Sequence, residues 1–243
     1  MTKVRLASLS VLAVTSVFAI FASQAMAKIR FEWFVGGKLL AAGQSKAFTV
    51  SSDGKIFTIN GSVAGAKIQL LSNEVAVTGG KILGGTPGTN EERLLFKNVV
   101  VDNPAKCLVE SESSGTPGLI QTKSLKTEIV ESQANGEPLI LFSPETGNTW
   151  VELRFLNKGT ETCPVASTEN LVPLTGSVLA EPLPQLAELL TNDLDFEAKT
   201  KNYLQFGGVN VRTAGLSIGL NPATFAGLIL VRLTETDEKF GAF

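Results

Sequence analysis

The stretch "TWVELRFL", residues 149–156, decides the fold class of this chain. It places Trp150, Glu152, Arg154 and Leu156 opposite Val151, Leu153 and Phe155. Successive side chains of a β-strand point to opposite faces, so this alternation is typical of a strand with one apolar and one mixed face.

The same period of two continues outward along the chain. It recurs in "KIRFEWFV" (28–35) and "TFAGLILVRL" (224–233), while "RLLFKNVVV" (93–101) is a nearly continuous apolar strand. "KAFTV" and "KIFTI" flank "SSDG" (51–54), which predicts a hairpin turn. Clusters rich in Gly, Pro and Asn, such as "GGKILGGTPGTNEE" (79–92), interrupt the strands about every 8–12 residues. The sequence therefore predicts an all-β antiparallel sandwich or barrel of roughly a dozen strands.

One segment favours a helix. "PLPQLAELL" (182–190) has prolines that can begin a helix, followed by Leu186, Leu189 and Leu190 at helical spacing. We expect at most one short helix near 184–190, and a possible sub-boundary near 181–192 within one domain.

The first 27 residues are typical of a secretory signal peptide. Lys3 and Arg5 precede an apolar run over 6–22, and Ala25 and Ala27 form an A-x-A cleavage pattern. We predict cleavage after Ala27 and a secreted or cell-envelope domain over 28–243, with no membrane span left after cleavage. The formal net charge of the whole chain is −2, and the predicted mature part is more acidic still, which excludes an electrostatic nucleic-acid interface.

Two cysteines, Cys107 and Cys163, are the only ones in the chain. Thiols of exported proteins meet an oxidising environment and pair, so these two predict one structural disulfide. With no histidine in the chain, a Cys/His zinc site is excluded, and two sulfurs alone rarely hold zinc.

The lack of histidine also removes most general-base and triad chemistry. "GLSIG" (215–219) matches the G-x-S-x-G nucleophile motif, but no histidine base is present and no helical pattern follows. We interpret it as a glycine-rich strand and predict no catalytic residues.

Carboxylates are the remaining chemical candidates. "NDLDFEAK" puts Asp193, Asp195 and Glu197 on one strand face, where three acids in a row can ligate calcium or supply an acid–base pair. We favour a solvated strand face without a metal, and the same interpretation applies to Glu110 and Glu112. The aromatic residues of "WFVGGKLL" (33–40) suit carbohydrate stacking, although core packing is the favoured interpretation.

Several segments follow one another in a familiar order. They are "WFVGGKLL", "KILGGTPGT", "LLFKNVVVDNPAKCLV", "IQTKSLKTEIV", "LFSPETGNTWVELRF", "TETCPV", "TGSVLAE" and the closing "LTETDEKFGAF". In this order the chain resembles a family of uncharacterised secreted β-rich proteins of soil actinobacteria, over most of residues 31–243. The resemblance implies export and a β-rich fold. It also implies two further cysteines where Asn73 and Val99 stand, so this chain would have lost a second disulfide.

These observations predict a secreted, non-catalytic β protein. We expect a binding or cell-envelope interaction module with an extracellular or envelope partner and no cofactor. A carboxylate-based extracellular hydrolase of the glycosidase kind and a structural surface protein remain the alternatives.

Overall fold

The fold is all-β in a computed structural model that describes residues 30–52, 54–167, 170–197, 201–234 and 237–243. No helix occurs within these ranges, and 21 strands do. The signal sequence predicted for residues 1–27 lies outside the described residues. The first strands are β1 (Trp33–Val35), β2 (Lys38–Leu39), β3 (Ser45–Ser51), β4 (Phe57–Val63), β5 (Ala66–Ser72), β6 (Glu74–Leu83), β7 (Thr89–Lys97), β8 (Val100–Asn103), β9 (Cys107–Ser111) and β10 (Ile120–Gln121). The others are β11 (Leu125–Ser132), β12 (Pro138–Pro144), β13 (Thr149–Asn157), β14 (Val172–Gly176), β15 (Val178–Leu183), β16 (Thr191–Phe196), β17 (Asn202–Leu204), β18 (Arg212–Thr213), β19 (Leu216–Ile218), β20 (Asn221–Leu233) and β21 (Phe240–Ala242).

Eight strands form a closed antiparallel barrel. Their order around the ring is β7–β11–β12–β15–β16–β20–β3–β6, and β6 pairs with β7 again. Closure leaves these strands without free edges, so the backbone groups that would otherwise invite aggregation are paired.

A second layer continues from the barrel through the long strand β20. The strand order there is β8–β5–β4–β20–β19–β14–β13–β9. Residues Thr224–Ala226 of β20 pair with β4, and residues Leu230–Leu233 pair with β3. Gly227 stands between these two parts of the strand, where a Cβ atom would overlap the ring of Phe57.

One hydrophobic core runs through both layers. A chain of aromatic rings crosses the junction, with ring centroids 5.1 Å apart for Phe142 and Phe196 and 5.0 Å apart for Phe196 and Phe225. Such close aromatic pairs contribute beyond their buried area. The barrel and the second layer are therefore packed as one body.

A small three-stranded sheet, β2–β1–β21, joins the two ends of the described chain. Trp33 pairs with Ala242, and Glu32 and Phe243 exchange backbone hydrogen bonds of 2.9 and 3.0 Å. Since Trp33, Phe240 and Ala242 line a cavity inside the barrel, this sheet closes one end of it. We call it the terminal sheet.

The predicted disulfide is confirmed. Cys107, at the start of β9, is bonded to Cys163, in the segment after β13, with a Cα–Cα distance of 4.8 Å. Both cysteines are buried, so the bond is an internal part of the second layer.

The helix expected near 184–190 is absent, and the segment is a turn. Leu186 has a φ of +52°, which a right-handed helix does not accept. Leu189 exchanges two backbone hydrogen bonds with Phe240, so pairing with the terminal sheet takes precedence over the helical spacing of the leucines. The segment connects β15 and β16, which pair with each other in the barrel.

The hairpin predicted at 51–54 is wrong, although the chain does turn there, with the Lys55 amide donating to the Ser52 carbonyl at 2.8 Å. Strands β3 and β4 do not pair with each other but both pair with β20. The turn carries the chain from the barrel into the second layer.

The expected number of strands was too low because several periodic stretches break into short pieces. The stretch 93–101 is divided between β7 and β8 at Asn98, which has a φ of +52°. Asn tolerates this left-handed conformation better than most residues, and the strand ends there although most of the surrounding residues are apolar.

Candidate functional site

The interior of the barrel holds three buried polar side chains on two adjacent strands. Along β7 the residues alternate, so that Asn90, Glu92 and Leu94 are buried while Glu91 and Arg93 are exposed. Strand β11 pairs with β7 in the register that sets Thr127 opposite Asn90. Directly opposed residues share a face of the sheet, so the three polar side chains, Asn90, Glu92 and Thr127, face the same interior. We call them the polar trio.

The polar trio is short of hydrogen-bond partners. The Asn90 amide nitrogen donates to Glu92 Oε2 at 3.3 Å. Asn90 Oδ1, Glu92 Oε1 and Thr127 Oγ1 are buried without any partner in the described part of the chain. Buried polar atoms are nearly always paired, and each exception needs an explanation such as a bound molecule.

A cavity of about 20 Å³ lies next to Asn90 and Glu92. A water needs at least about 10–15 Å³, so the space admits a group of one or two heavy atoms. The walls are otherwise mostly apolar, with Phe48, Phe142, Leu194 and Ile229 among them. The site therefore combines an apolar enclosure with a few polar side chains in its wall, as small-molecule sites commonly do.

Two hydrogen bonds fasten the terminal sheet over this cavity. The Asn192 amide donates to the Phe240 carbonyl at 2.7 Å, and the Trp33 indole donates to the Thr89 carbonyl at 3.1 Å. Both donors lie on residues that line the cavity. The enclosure thus depends on contacts between the barrel wall and the terminal sheet.

Burial raises the pKa of Glu92 to about 8, and the hydrogen bond from Asn90 opposes only part of this rise. Removing a carboxylate from water disfavours its charged form. Glu92 is therefore mainly a neutral acid at pH 7. A strongly raised pKa at a residue that faces a cavity is a recognised mark of a functional position.

Sequence reasoning missed the polar trio. The Gly-rich composition of residues 79–92 predicts turns, whereas β7 already begins at Thr89. Residues 90–93 are all polar, so no apolar–polar alternation shows which of them face inward.

The acidic strand face lies elsewhere, on β16. Leu194 and Phe196 are buried as predicted, Asp193 and Asp195 are half-buried, and Glu197 is exposed just beyond the end of the strand. The described residues contain no group of three or more acidic or Cys side chains that could hold a metal ion.

A lysine and a further acid complete this face. Lys201 Nζ lies 2.8 Å from Glu181 Oε2 and 3.5 Å from Glu197 Oε2. Burial and the neighbouring Glu197 raise the pKa of Asp195, with Lys201 acting against them. Burial lowers the pKa of Lys201, but the hydrogen bond and charge of Glu181 outweigh it, so that this pKa is raised. The acids are thus arranged around an ammonium group.

The solvated position expected for Glu110 is wrong. Its side chain is buried, and Arg154 Nη1 lies 3.0 Å from its Oε1. The two residues are directly opposite on β9 and β13, and the sequence of either strand alone does not predict this pairing. Glu112 is exposed, as expected.

Other sequence features have structural roles. "GLSIG" contains strand β19 (Leu216–Ile218), as predicted. Trp33 is a core residue, with 5% of its surface exposed.

The loop between β17 and β18 carries exposed apolar side chains, of which Val209 is 89% exposed and Phe206 packs edge-on against Phe31.

Comparison of the chain with protein-family models, with curated proteins and with solved structures gives no match. Across the residues described, there is no helix of the length and apolar character needed to cross a membrane.

Proposed function

We propose that this chain is a secreted, non-catalytic binding module that holds a small molecule inside its barrel. The observation that carries the proposal is the polar trio, which has three unpartnered oxygen atoms and two members, Asn90 and Glu92, in the wall of an apolar cavity. Leaving a polar atom buried without a partner costs about 1–3 kcal/mol. A bound molecule that donates hydrogen bonds would remove that cost.

Export forms part of the same proposal. The confirmed disulfide suits an oxidising compartment, and the N-terminal pattern of residues 1–27 suits cleavage after Ala27. We expect the exported protein to begin at Lys28 and to meet its ligand, and any partner, outside the cytoplasm or in the cell envelope. Intact-mass measurement of exported protein tests this, and a mature chain that begins at Met1 would refute it.

The charge distribution supports binding over hydrolysis. A glycosidase-like reaction needs two carboxyl groups across a cleft, whereas Glu92 is the one titratable side chain among the described residues that line the barrel cavity. The acids around Asp195 are held by Lys201 instead.

Nuclear magnetic resonance with small probes tests the binding function. Methanol, ammonium and methylammonium, which have one or two heavy atoms each, are titrated separately into the exported protein. We expect at least one probe to shift the Trp33 indole and Thr127 methyl signals, and Glu92→Leu to abolish that shift. Glu91→Gln is the matched control, because Glu91 lies on the outer face of the same strand. If no probe shifts these signals, the binding proposal fails and the structural alternative gains support.

A further inference from the structure

The polar trio also indicates what kind of group it would bind. Its open atoms are a carboxyl oxygen, an amide oxygen and a hydroxyl oxygen. The carboxylate and amide oxygens accept hydrogen bonds, and the hydroxyl can accept as well as donate. The amide nitrogen of Asn90 is already used, because it donates to Glu92. A complementary group must therefore bring two or three donors of its own.

The charges of the side chains around the cavity further restrict the class of ligand. No basic side chain lines the cavity among the described residues, so an ionised Glu92 has no counter-ion. The amide nitrogen of Asn192, the other polar side chain in the wall, is used at the Phe240 carbonyl. A buried carboxylate is stable only when it is paired, so Glu92 can ionise in this site only together with a bound cation. A carboxylate or phosphate ligand would meet mainly acceptors.

We propose that Glu92 and Asn90 of the polar trio bind a small primary ammonium group in this cavity, with Glu92 as its counter-ion and Asn90 as its further acceptor. This inference rests on the proposed binding function and specifies its ligand class. A primary ammonium has three N–H donors, which is enough for the open oxygen atoms of both side chains. The cavity of about 20 Å³ admits ammonium or methylammonium without movement of the walls, and a longer amine must displace the terminal sheet.

Binding of such a group is coupled to a proton. Without a cation beside it, Glu92 is mainly protonated below pH 8, because burial raises its pKa. A nearby cation favours the carboxylate form, so the ammonium displaces the carboxyl proton into solvent. Below pH 8 the affinity must then rise about tenfold per pH unit, and close to one proton must leave for each ligand bound. No other titratable side chain faces this cavity from the described wall residues.

Calorimetric titration with methylammonium chloride tests the proposal. At pH 6.5, in two buffers of different ionisation enthalpy, we expect release of close to one proton per ligand, and about tenfold tighter binding at pH 7.5. Glu92→Gln should weaken binding at least tenfold and abolish proton release, while Glu91→Gln should bind as the parent protein does. In the unmodified protein, the ¹³C shift of the Glu92 carboxyl should change from the acid to the carboxylate value on titration at pH 6.5, a result that does not depend on any variant folding.

Control titrations with methanol and potassium chloride distinguish a failure of the ammonium assignment from a failure of the binding function. If methanol or K⁺ binds in the barrel as tightly as methylammonium, the ammonium assignment is overturned while the binding function stands. If none of these probes binds and a high-resolution crystal structure shows only a water among the three oxygens, both proposals fall.

Discussion

At the scale of single residues, the ion pair between Glu110 and Arg154 contributes to the stability of the folded protein. Arg154→Met would leave the Glu110 carboxylate, whose side chain is 6% exposed, without its counter-charge. Breaking a buried pair from one side costs about 3–5 kcal/mol, and we expect the lower end because Arg154 is partly exposed. Urea unfolding at pH 7 measures the loss.

Two further variants give this prediction its controls. Lys123 lies 3.6 Å from Glu152 on the surface, and Lys123→Met should cost at most about 1 kcal/mol. Combining Arg154→Met with Glu110→Leu should recover most of the lost stability, since no unpaired charge remains. Equal losses for Arg154→Met and Lys123→Met would contradict the assigned burial.

Glu92 predicts a pH dependence of stability. Its pKa is about 8 in the folded protein against 4.5 for the free group, so between these values the folded state holds a proton that the unfolded state has released. The free energy of unfolding must therefore fall as the pH rises from about 4.5 to 8, by an amount on the order of 4 kcal/mol. Glu92→Gln lacks this contribution. The difference in free energy of unfolding between variant and parent should therefore shift in favour of the variant as the pH rises over that range.

Thermal or urea unfolding at pH 5, 6.5 and 8.5 measures the difference between the two proteins. Glu128 and Asp195 also have raised pKa values through burial, and they contribute equally to both. Parallel curves for parent and variant would show that Glu92 is not buried as a neutral acid.

At the scale of elements, β20 is the strand that both layers share, and Gly227 is its critical position. Gly227→Ala places a methyl group against the ring of Phe57, and overpacking of this kind costs about 1–3 kcal/mol. Gly215→Ala is the matched control, because a Cβ there meets nothing within 4 Å. Guanidinium unfolding of both variants provides the comparison, and equal midpoints would show that the junction can relax around the added methyl.

The elements were predictable where the signal is local. The alternation at 149–156 became β13, and that at 224–233 became most of β20. Pairing was not predictable, because a turn at 51–54 shows that the chain reverses but not which strand lies beside it. For the same reason Glu110 gave no sign of Arg154, 44 residues later.

At the scale of the whole molecule, the disulfide links positions 56 residues apart. Closing a loop of that length stabilises a protein by about 4 kcal/mol in the chain-entropy treatment. Replacing both Cys107 and Cys163 by Ala should lower the free energy of unfolding by about this amount. Thiol titration of the denatured, unreduced parent protein should find no free thiol, and two free thiols would contradict the bond.

The disulfide was predictable because two cysteines allow one pairing. The candidate site was not, because Asn90, Glu92 and Thr127 come together only when β7 and β11 pair and the ring closes. The sequence of one strand cannot show that these three side chains meet in the barrel interior, each with an oxygen atom that has no hydrogen-bond partner.

The terminal sheet fixes the order in which this protein can be completed. Glu32 exchanges backbone hydrogen bonds with Phe243, and β1 pairs with β21. In a chain that emerges from a ribosome or an export channel with its N-terminus first, β1 is therefore available long before β21. The end of the barrel that Trp33 covers therefore stays open until residues 240–243 arrive, and the polar trio is accessible to solvent and solutes up to that moment. Strand β21 is thus the one that seals the interior, and a molecule that occupies the cavity can be enclosed during assembly rather than admitted afterwards.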